Sequence, residues 1–241
     1  MIERTIATTT HGRYLVAPPA AKGPAPLLVG FHGYAEGADA QLDRMRAIPG
    51  AEAWRLVAIQ GLHRFYQRRA NEIVASWMTR QDRELAIADN IAYVNAVIEA
   101  IVREWPDPPR IVYTGFSQGV AMMFRAAAAA TRPLSGVVAV GGDVPPELEA
   151  ASLSRIPAAL IARGARDEWY TTAKFDTDIG RLRAAGAAVT PLAFDGGHEW
   201  SEPVIQAASA FLRDRMARTL IEPLATSPSD DRDPNRHSGG R

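Results

Sequence analysis

The sequence predicts an α/β fold in which helices cover both faces of a mostly parallel central sheet. Short apolar segments alternate with longer segments of helical periodicity, which is the pattern of consecutive β-α units. The chain has 241 residues, of which 47% are apolar, enough to form one domain around a sizeable core. The connection between the apolar segments 136–142 and 158–164 is short, so we expect no large cap domain over the sheet.

The first half of the chain is predicted to form six segments in succession. They are a hairpin that turns at His11-Gly12, a buried strand, a helix, a second strand, an irregular segment and a long helix, at 5–17, 26–31, 39–47, 55–60, 61–78 and 83–105. Five aliphatic residues recur at helical spacing on one face of the long helix: Ile87, Ile91, Val94, Ile98 and Ile101.

The second half of the chain alternates strands with helices and ends in a polar tail. Strands are expected at 111–116, 136–142, 158–164 and 188–195, and helices at 118–131, 172–185 and 204–219. Residues 223–241 are polar and rich in Pro, Gly, Ser and Asp, so we expect disorder there. The predicted α/β domain therefore spans residues 1–222.

Composition excludes several classes of function. Lys plus Arg and Asp plus Glu each total 27, so the formal net charge is zero and does not favour nucleic acid or an anionic membrane as a partner. The chain has no cysteine, which rules out disulfides and thiol chemistry and fits a reducing compartment. No signal peptide or membrane span is evident, so we expect a cytoplasmic protein. Since no HExxH, paired-histidine, EF-hand or glycine-rich nucleotide motif occurs, we expect no metal and no cofactor.

The strongest functional signal is the pentapeptide Gly115-Phe116-Ser117-Gln118-Gly119. It matches Gly-x-Ser-x-Gly and lies directly between a predicted strand and a predicted helix, which is the context that a nucleophile elbow requires. The strand-to-helix turn is so tight that the flanking positions must be small, and the helix N-terminus directs free amides at the site. Ser117 is therefore the candidate nucleophile.

A serine nucleophile needs a base, and His198 is the candidate among five histidines. In sites with this elbow the base comes last in the chain, after the acid. His198 follows the last predicted strand, and the two glycines before it allow a backbone path that brings the ring over the sheet edge. The other histidines lie before the nucleophile or in the polar tail: His11, His32, His63 and His237. The alternative for His198 is a solvated loop residue.

The acid should follow a strand between the nucleophile and the base. Asp167 does so, immediately after the strand at 158–164, and would hold the imidazole tautomer whose other nitrogen faces Ser117. Glu168 is the adjacent competitor, and Asp143 follows the strand at 136–142. A solvated surface acid is the alternative role for both competitors.

Two backbone amides should stabilise the oxyanion. One belongs to Gln118, the residue after the nucleophile, and the other to Tyr34, in the loop 32–37 that follows the first buried strand. We expect His32 to order this loop rather than to take part in the chemistry.

These motifs together resemble the phospholipase/carboxylesterase family of α/β-hydrolases, to which acyl-protein thioesterases belong. The resemblance rests on GFSQG at the elbow, FHG after the first strand, a GxxD acid and a GGH base, and it spans 25–212. It implies an α/β-hydrolase fold and the triad Ser117, Asp167 and His198.

The resemblance also implies that the amides of Tyr34 and Gln118 bind the oxyanion and that Trp77 lines the acyl pocket. The sequence departs from the family pattern in two loops. The loop after His32-Gly33 lacks the usual Gly-Asp pair, and 169–171 reads Trp-Tyr-Thr where an aliphatic residue is usual.

Aromatic and sulfur-containing side chains in predicted loops could form an apolar slot for an acyl or aryl group. The candidates are Phe65, Tyr66, Trp77, Met78, Trp169 and Trp200, and core packing is the alternative role of each. Arg64, Arg68 and Arg69 lie beside them in the sequence. They form either a solvated charged loop or a site for a substrate carboxylate or phosphate.

The function predicted from the residues is therefore a serine hydrolase acting on a small-molecule ester or thioester. A serine peptidase or amidase on the same fold is one alternative, and a ligand-binding protein without catalysis is another. The sequence does not indicate an oligomeric state.

Overall fold

A computed structural model describes residues 1–67 and 71–217 of the chain. The strands are β1 Tyr14–Ala17, β2 Leu27–Phe31, β3 Arg55–Ile59, β4 His63–Gln67, β5 Glu72–Ser76, β6 Ile111–Phe116, β7 Gly136–Val140, β8 Ala158–Gly164 and β9 Ala188–Phe194. The helices are α1 Ala38–Arg46, α2 Arg83–Glu104, α3 Gln118–Ala128, α4 Ala150–Leu153, α5 Thr172–Ala184 and α6 Glu202–Ala217. The predicted tail at 223–241, the end of the predicted domain at 222, and Arg68 and Arg69 lie outside the described residues.

The main sheet contains seven strands in the order β1-β3-β2-β6-β7-β8-β9. β1 is antiparallel to β3, and every other neighbouring pair is parallel. The predicted mostly parallel sheet is therefore confirmed. Because parallel strands end at the same edge, the loops after β2, β6, β8 and β9 meet there.

Helices pack on both faces of this sheet, as predicted, and each face has its own core. α2, α3 and α5 contribute to one core, and α1 and α6 contribute to the other. Along β2, Val29 and Phe31 belong to the first core and Leu28 to the second, because successive side chains on a strand point to opposite faces. Each such side chain contributes about 1.5–3 kcal/mol when it is fully buried.

α2 is a core helix in this fold. Among the described residues it alone has the length and apolar composition of a membrane-spanning helix. Its Val94, Ile98 and Ile101 are buried in the first core, so this apolar character is used for packing. The predicted face at 87–101 is the face that packs inward, with Ile91 only partly buried.

Two predicted segments differ from the structure, and the predicted absence of a large cap is confirmed. The predicted hairpin at 5–17 is wrong: β1 begins at Tyr14 and pairs with β3, and residues 1–11 are exposed, with no buried apolar side chain that would stabilise a strand. The segment 61–78, predicted to be irregular, contains the hairpin β4–β5. The short connection before β8 contains α4, which is four residues long, and forms no cap over the sheet.

Candidate active site

The turn from β6 into α3 places Ser117 in a strained backbone conformation. Its φ is 52° and its ψ is −122°, a region that residues with a Cβ rarely adopt. The neighbouring glycines make the turn possible. A Cβ on Gly119 would lie 2.3 Å from the Phe31 carbonyl oxygen, and one on Gly115 would lie 3.0 Å from the backbone of Gly119 and Val120. The helix therefore starts directly against the end of β2, which brings the loop after β2 close to Ser117.

His198 lies between Ser117 and Asp167, within hydrogen-bonding distance of each. His198 Nε2 lies 2.8 Å from Ser117 Oγ, and His198 Nδ1 lies 2.8 Å from Asp167 Oδ2. An ionised carboxylate only accepts hydrogen bonds, so Nδ1 carries the proton and Nε2 is free to accept the serine proton. This arrangement can make the serine oxygen nucleophilic.

The loop after β8 fixes the carboxylate of Asp167. Asp167 Oδ1 accepts the backbone N–H groups of Trp169 and Tyr170 at 2.9 and 3.0 Å, which leaves Oδ2 for the histidine. Buried Arg163 donates to the Tyr170 carbonyl at 3.0 Å and so holds the far end of the loop. Among the described residues, neither competing acid forms a hydrogen bond with His198: Glu168 is exposed, and Asp143 forms an ion pair with Lys174 at 3.3 Å.

The loop that carries His198 packs directly on the loop that carries Asp167. The amide of Arg166 donates to the Gly196 carbonyl at 2.8 Å. A Cβ on Gly164 would lie 2.1 Å from the Gly197 carbonyl oxygen, so only glycine allows this approach. Beneath the imidazole lies Gly141, with a φ of 65°, where a Cβ would stand 3.1 Å from His198 Cε1.

Among the described residues, the backbone amides of Tyr34 and Gln118, two residues that line the same cavity as Ser117, have no hydrogen-bond acceptor. None of the hydrogen bonds between described residues uses the Tyr34 amide. Gln118 is the first residue of α3, and the first amides of a helix have no partner within it. The Gln118 side chain is already occupied, because its Oε1 accepts the Trp77 amide at 3.0 Å.

Buried His32 orders the start of the loop after β2. Its Nε2 lies 2.9 Å from the Gly61 amide, which donates to it, so the proton is on Nδ1, which donates to the Gly33 carbonyl at 2.7 Å. Burial lowers the pKa of His32 below its usual value, although the Gly33 carbonyl opposes this effect. A neutral histidine therefore connects the loop to Gly61, the second residue after β3.

A cavity of about 530 Å³ opens at Ser117 and His198. Three aromatic side chains line it: Tyr34, Trp169 and Tyr170. Its polar wall includes Asp143, Lys174 and Gln118, and its small residues are Ala121, Gly141 and Gly142. It is therefore an open, largely apolar site in which a carbonyl carbon could reach the serine.

Of the six side chains predicted for the pocket, Trp169 lines this cavity and is 76% exposed. Trp77 is fully buried and packs between Phe31 and His32, where its indole N–H donates to the His32 carbonyl at 2.8 Å. This hydrogen bond allows the tryptophan to lie in the core beneath the loop instead of at the cavity wall.

The remaining four predicted pocket residues lie outside the cavity wall. Phe65 packs on Tyr34 with 5.7 Å between ring centroids, and Tyr66 is 65% exposed on the hairpin. The Met78 carbonyl accepts a hydrogen bond from the Ser76 hydroxyl, and Trp200 packs against the second core. Arg64 is exposed and donates to the His11 carbonyl at 3.2 Å.

Several residues at this site were not singled out by the sequence. Tyr170 and Lys174 line the cavity, and Arg163 holds the loop that carries Asp167. Within the loop after β2, the Glu36 side chain accepts the Gly33 amide, and Arg44 of α1 binds Glu36. Of these residues, only Arg163 could have been singled out from the sequence, because it is a charged residue inside an otherwise apolar strand. The others depend on contacts between elements that no local pattern encodes.

Comparison with known proteins gives a family and a fold. A family model described as Phospholipase/Carboxylesterase matches residues 19–214. The solved structure of esterase PE8 is 21% identical over 85% of this chain and 99% of its own, with a TM-score of 0.68. A Bacillus cereus carboxylesterase is 16% identical over 85% of this chain and 94% of its own, with a TM-score of 0.68. Zea mays acyl-protein thioesterase 2 is 16% identical over 86% of this chain and 100% of its own, with a TM-score of 0.67.

Proposed function

The chain belongs to the phospholipase/carboxylesterase family of α/β-hydrolases, and we propose that it is a serine hydrolase that cleaves small carboxylic esters or thioesters through an acyl-enzyme. The observation that carries the proposal is the hydrogen-bonded chain from Ser117 through His198 to Asp167. Both distances are 2.8 Å, and Ser117 and His198 line an open cavity. The esterase and thioesterase activities named for the similar structures support the same class of reaction.

In the first proposed step, Ser117 Oγ attacks the carbonyl carbon while His198 Nε2 takes the serine proton. Asp167 stabilises the imidazolium that forms, since its carboxylate accepts from Nδ1. The amides of Tyr34 and Gln118 stabilise the negative charge on the carbonyl oxygen. His198 then gives its proton to the departing alcohol or thiol, which leaves an ester of Ser117.

In the second proposed step, water takes the place of the leaving group. His198 removes a proton from the water, the resulting hydroxide attacks the acyl carbon, and the serine leaves as the proton returns to its oxygen. The open cavity gives water direct access to the acyl-enzyme. The proposed setting is the cytoplasm, and the proposed partner is a small molecule.

The test is hydrolysis of p-nitrophenyl esters from acetate to palmitate by wild type and by Ser117→Ala. We expect turnover by wild type and a loss of at least about 10³-fold in kcat/KM for the variant. Ser152, in α4 outside the cavity, provides a matched control, and Ser152→Ala should retain wild-type activity.

The same assay separates the proposed reaction from its alternatives. Comparing an ester with a thioester of the same acyl group identifies the preferred leaving group. Folded wild type that cleaves a peptide panel but no ester would support a peptidase. Folded wild type that hydrolyses neither and does not react with a fluorophosphonate would refute the serine hydrolase mechanism.

A further inference from the structure

We propose that Glu36 and Arg44 are positioning residues that hold the loop 32–37 so that the Tyr34 amide faces the oxyanion. The inference rests on the proposed function, because it concerns the geometry of the proposed oxyanion site. Neither side chain lines the cavity, so both would act through the loop and not by touching the substrate.

The Glu36 carboxylate closes the loop on itself. Its Oε2 accepts the Gly33 amide at 2.8 Å, so a side chain fixes the backbone on the amino side of Tyr34. On the carboxyl side, the Ala35 amide donates to the Ala75 carbonyl at 3.1 Å, and the Ala75 amide donates to the Glu36 carbonyl at 2.8 Å. The peptide that bears the Tyr34 N–H is therefore held from both sides.

The loop needs such support because its backbone is strained. Ala35 has a φ of 56°, in the left-handed region, which costs a residue with a Cβ about 1–2 kcal/mol. A strained residue keeps its conformation only when its surroundings impose it. Without the contact between Glu36 and Gly33, only the pairing with Ala75 would hold this conformation, and the Tyr34 amide could turn because its amino side would no longer be fixed.

Arg44 fixes the Glu36 carboxylate that binds the Gly33 amide. Its guanidinium donates to both Glu36 oxygens at 2.6 Å, a bidentate pair in which both side chains are mostly buried. Such pairs define orientation as well as charge. Burial of Glu36 is the largest single effect and opposes ionisation, but the hydrogen bond and the charge of Arg44, together with the hydrogen bond from the Gly33 amide, lower the pKa of Glu36 below its usual value, so the carboxylate stays ionised at neutral pH.

The same guanidinium connects the loop to the nucleophile elbow. Arg44 lies 4.3 Å above the ring centroid of Phe116, the residue before Ser117. The Phe116 ring in turn packs on His198 with 5.1 Å between centroids. Arg44 therefore contacts the oxyanion loop through Glu36 and the elbow through Phe116, so one side chain sets the distance between the two proposed oxyanion donors.

The experiment measures kcat and KM for a short p-nitrophenyl ester and the Ki of a matched trifluoromethyl ketone, whose adduct with Ser117 carries an oxyanion. The variants are Glu36→Ala, Glu36→Gln, which keeps an acceptor for Gly33, and Arg44→Lys. The matched control is Asp39→Ala, which removes an exposed ion pair between α1 and Arg13, 3.0 Å long, outside the cavity wall.

We expect Glu36→Ala to lower kcat about 10–100-fold with KM within about twofold, and to raise the Ki of the ketone by the same factor as the loss of kcat. Glu36→Gln and Arg44→Lys should fall between Glu36→Ala and wild type. Asp39→Ala should match wild type. The split between kcat and KM separates a positioning role from one in binding or folding alone.

Unchanged kcat in a folded Glu36→Ala would overturn the inference, as would a change confined to KM. If Glu36→Ala does not fold, Glu36→Gln and Arg44→Lys provide the test. Wild-type kcat and Ki in both of these variants would overturn the inference. These results leave the proposed function intact, since wild type would still depend on Ser117. Inactive wild type refutes the proposed function, and the positioning role with it.

Discussion

Substituting Gly141 by alanine should separate the proposed catalytic role of His198 from the stability of the fold. Gly141 follows β7 and lies beneath the imidazole, with a φ of 65°. The added Cβ would stand 3.1 Å from His198 Cε1 and 3.2 Å from Nδ1, closer than ordinary van der Waals contact. Since Asp167 and Ser117 hold the ring at 2.8 Å on either side, relief of this contact must lengthen at least one of these hydrogen bonds.

The substitution has two effects, a strained backbone at residue 141 and a close contact with His198, and each predicts a magnitude. The left-handed backbone costs an alanine about 1–2 kcal/mol, which lowers Tm by roughly 2–8 °C for a domain of this size. The contact must be relieved by a few tenths of an ångström at the proposed base. Since a displacement of 1 Å at a catalytic group can cost about 100-fold, we expect a loss of about tenfold in kcat, or ~1.4 kcal/mol.

Gly186→Ala is the matched control for this measurement. Gly186 follows α5 with a φ of 92°, and a Cβ there would meet nothing within 4 Å. It should lose about as much Tm as Gly141→Ala and keep wild-type kcat. Thermal unfolding and ester hydrolysis of the two variants provide the comparison. If Gly141→Ala kept full kcat, the imidazole would not be held as described, and the reasoning would fail.

Three further predictions concern stability, packing and substrate binding. Because burial lowers the pKa of His32, stability should fall as pH drops below its unfolded value of about 6.5 towards the lower folded value. Urea midpoints of wild type measured between pH 7.5 and pH 5 should show this loss of stability. If His32→Gln lost as much stability over the same pH range, His32 would not be its cause. Gly119→Ala would bring a Cβ within 2.3 Å of the Phe31 carbonyl oxygen and should destabilise the protein by about 3 kcal/mol or more in the same assay. Trp169→Ala should raise KM severalfold with an unchanged Tm, because the ring lines the cavity but is mostly exposed; an unchanged KM would exclude its contact with substrate.

The sheet and the elbow could be predicted because local sequence encodes them. Mostly apolar runs such as 111–116 and 158–162 suit strands covered on both faces. The glycines flanking Ser117 are required by contacts within one turn, so a pentapeptide is enough to identify the turn. The order of Ser117, Asp167 and His198 along the chain pointed to strand ends, which a parallel sheet brings to one edge.

The rest depends on contacts that the sequence does not encode locally. Trp77 lies in the core because its indole N–H finds the His32 carbonyl, and an identical tetrapeptide elsewhere could place it at a surface. The hairpin β4–β5 was missed because it faces the protein through Phe65 and Val74 while Tyr66 and Ile73 remain exposed, which weakens the hydrophobic pattern. The ion pair between Glu36 and Arg44 depends on the orientation of α1 relative to the loop that precedes it.

The hydrogen bonds from Ser117 through His198 to Asp167 join residues that are far apart in the chain, and this has a consequence for folding. Ser117 and His198 are 81 positions apart, and Asp167 and His198 are 31 apart. The loop that carries Asp167 follows β8, and the loop that carries His198 follows β9, the edge strand of the sheet. The hydrogen bond between these loops, from the Arg166 amide to the Gly196 carbonyl, extends the pairing of the two strands. Non-local parallel pairing forms slowly, and the proposed hydrolysis requires this last strand to be in register. Recovery of enzymatic activity during refolding would therefore report completion of the sheet, whereas circular dichroism would already register the helices.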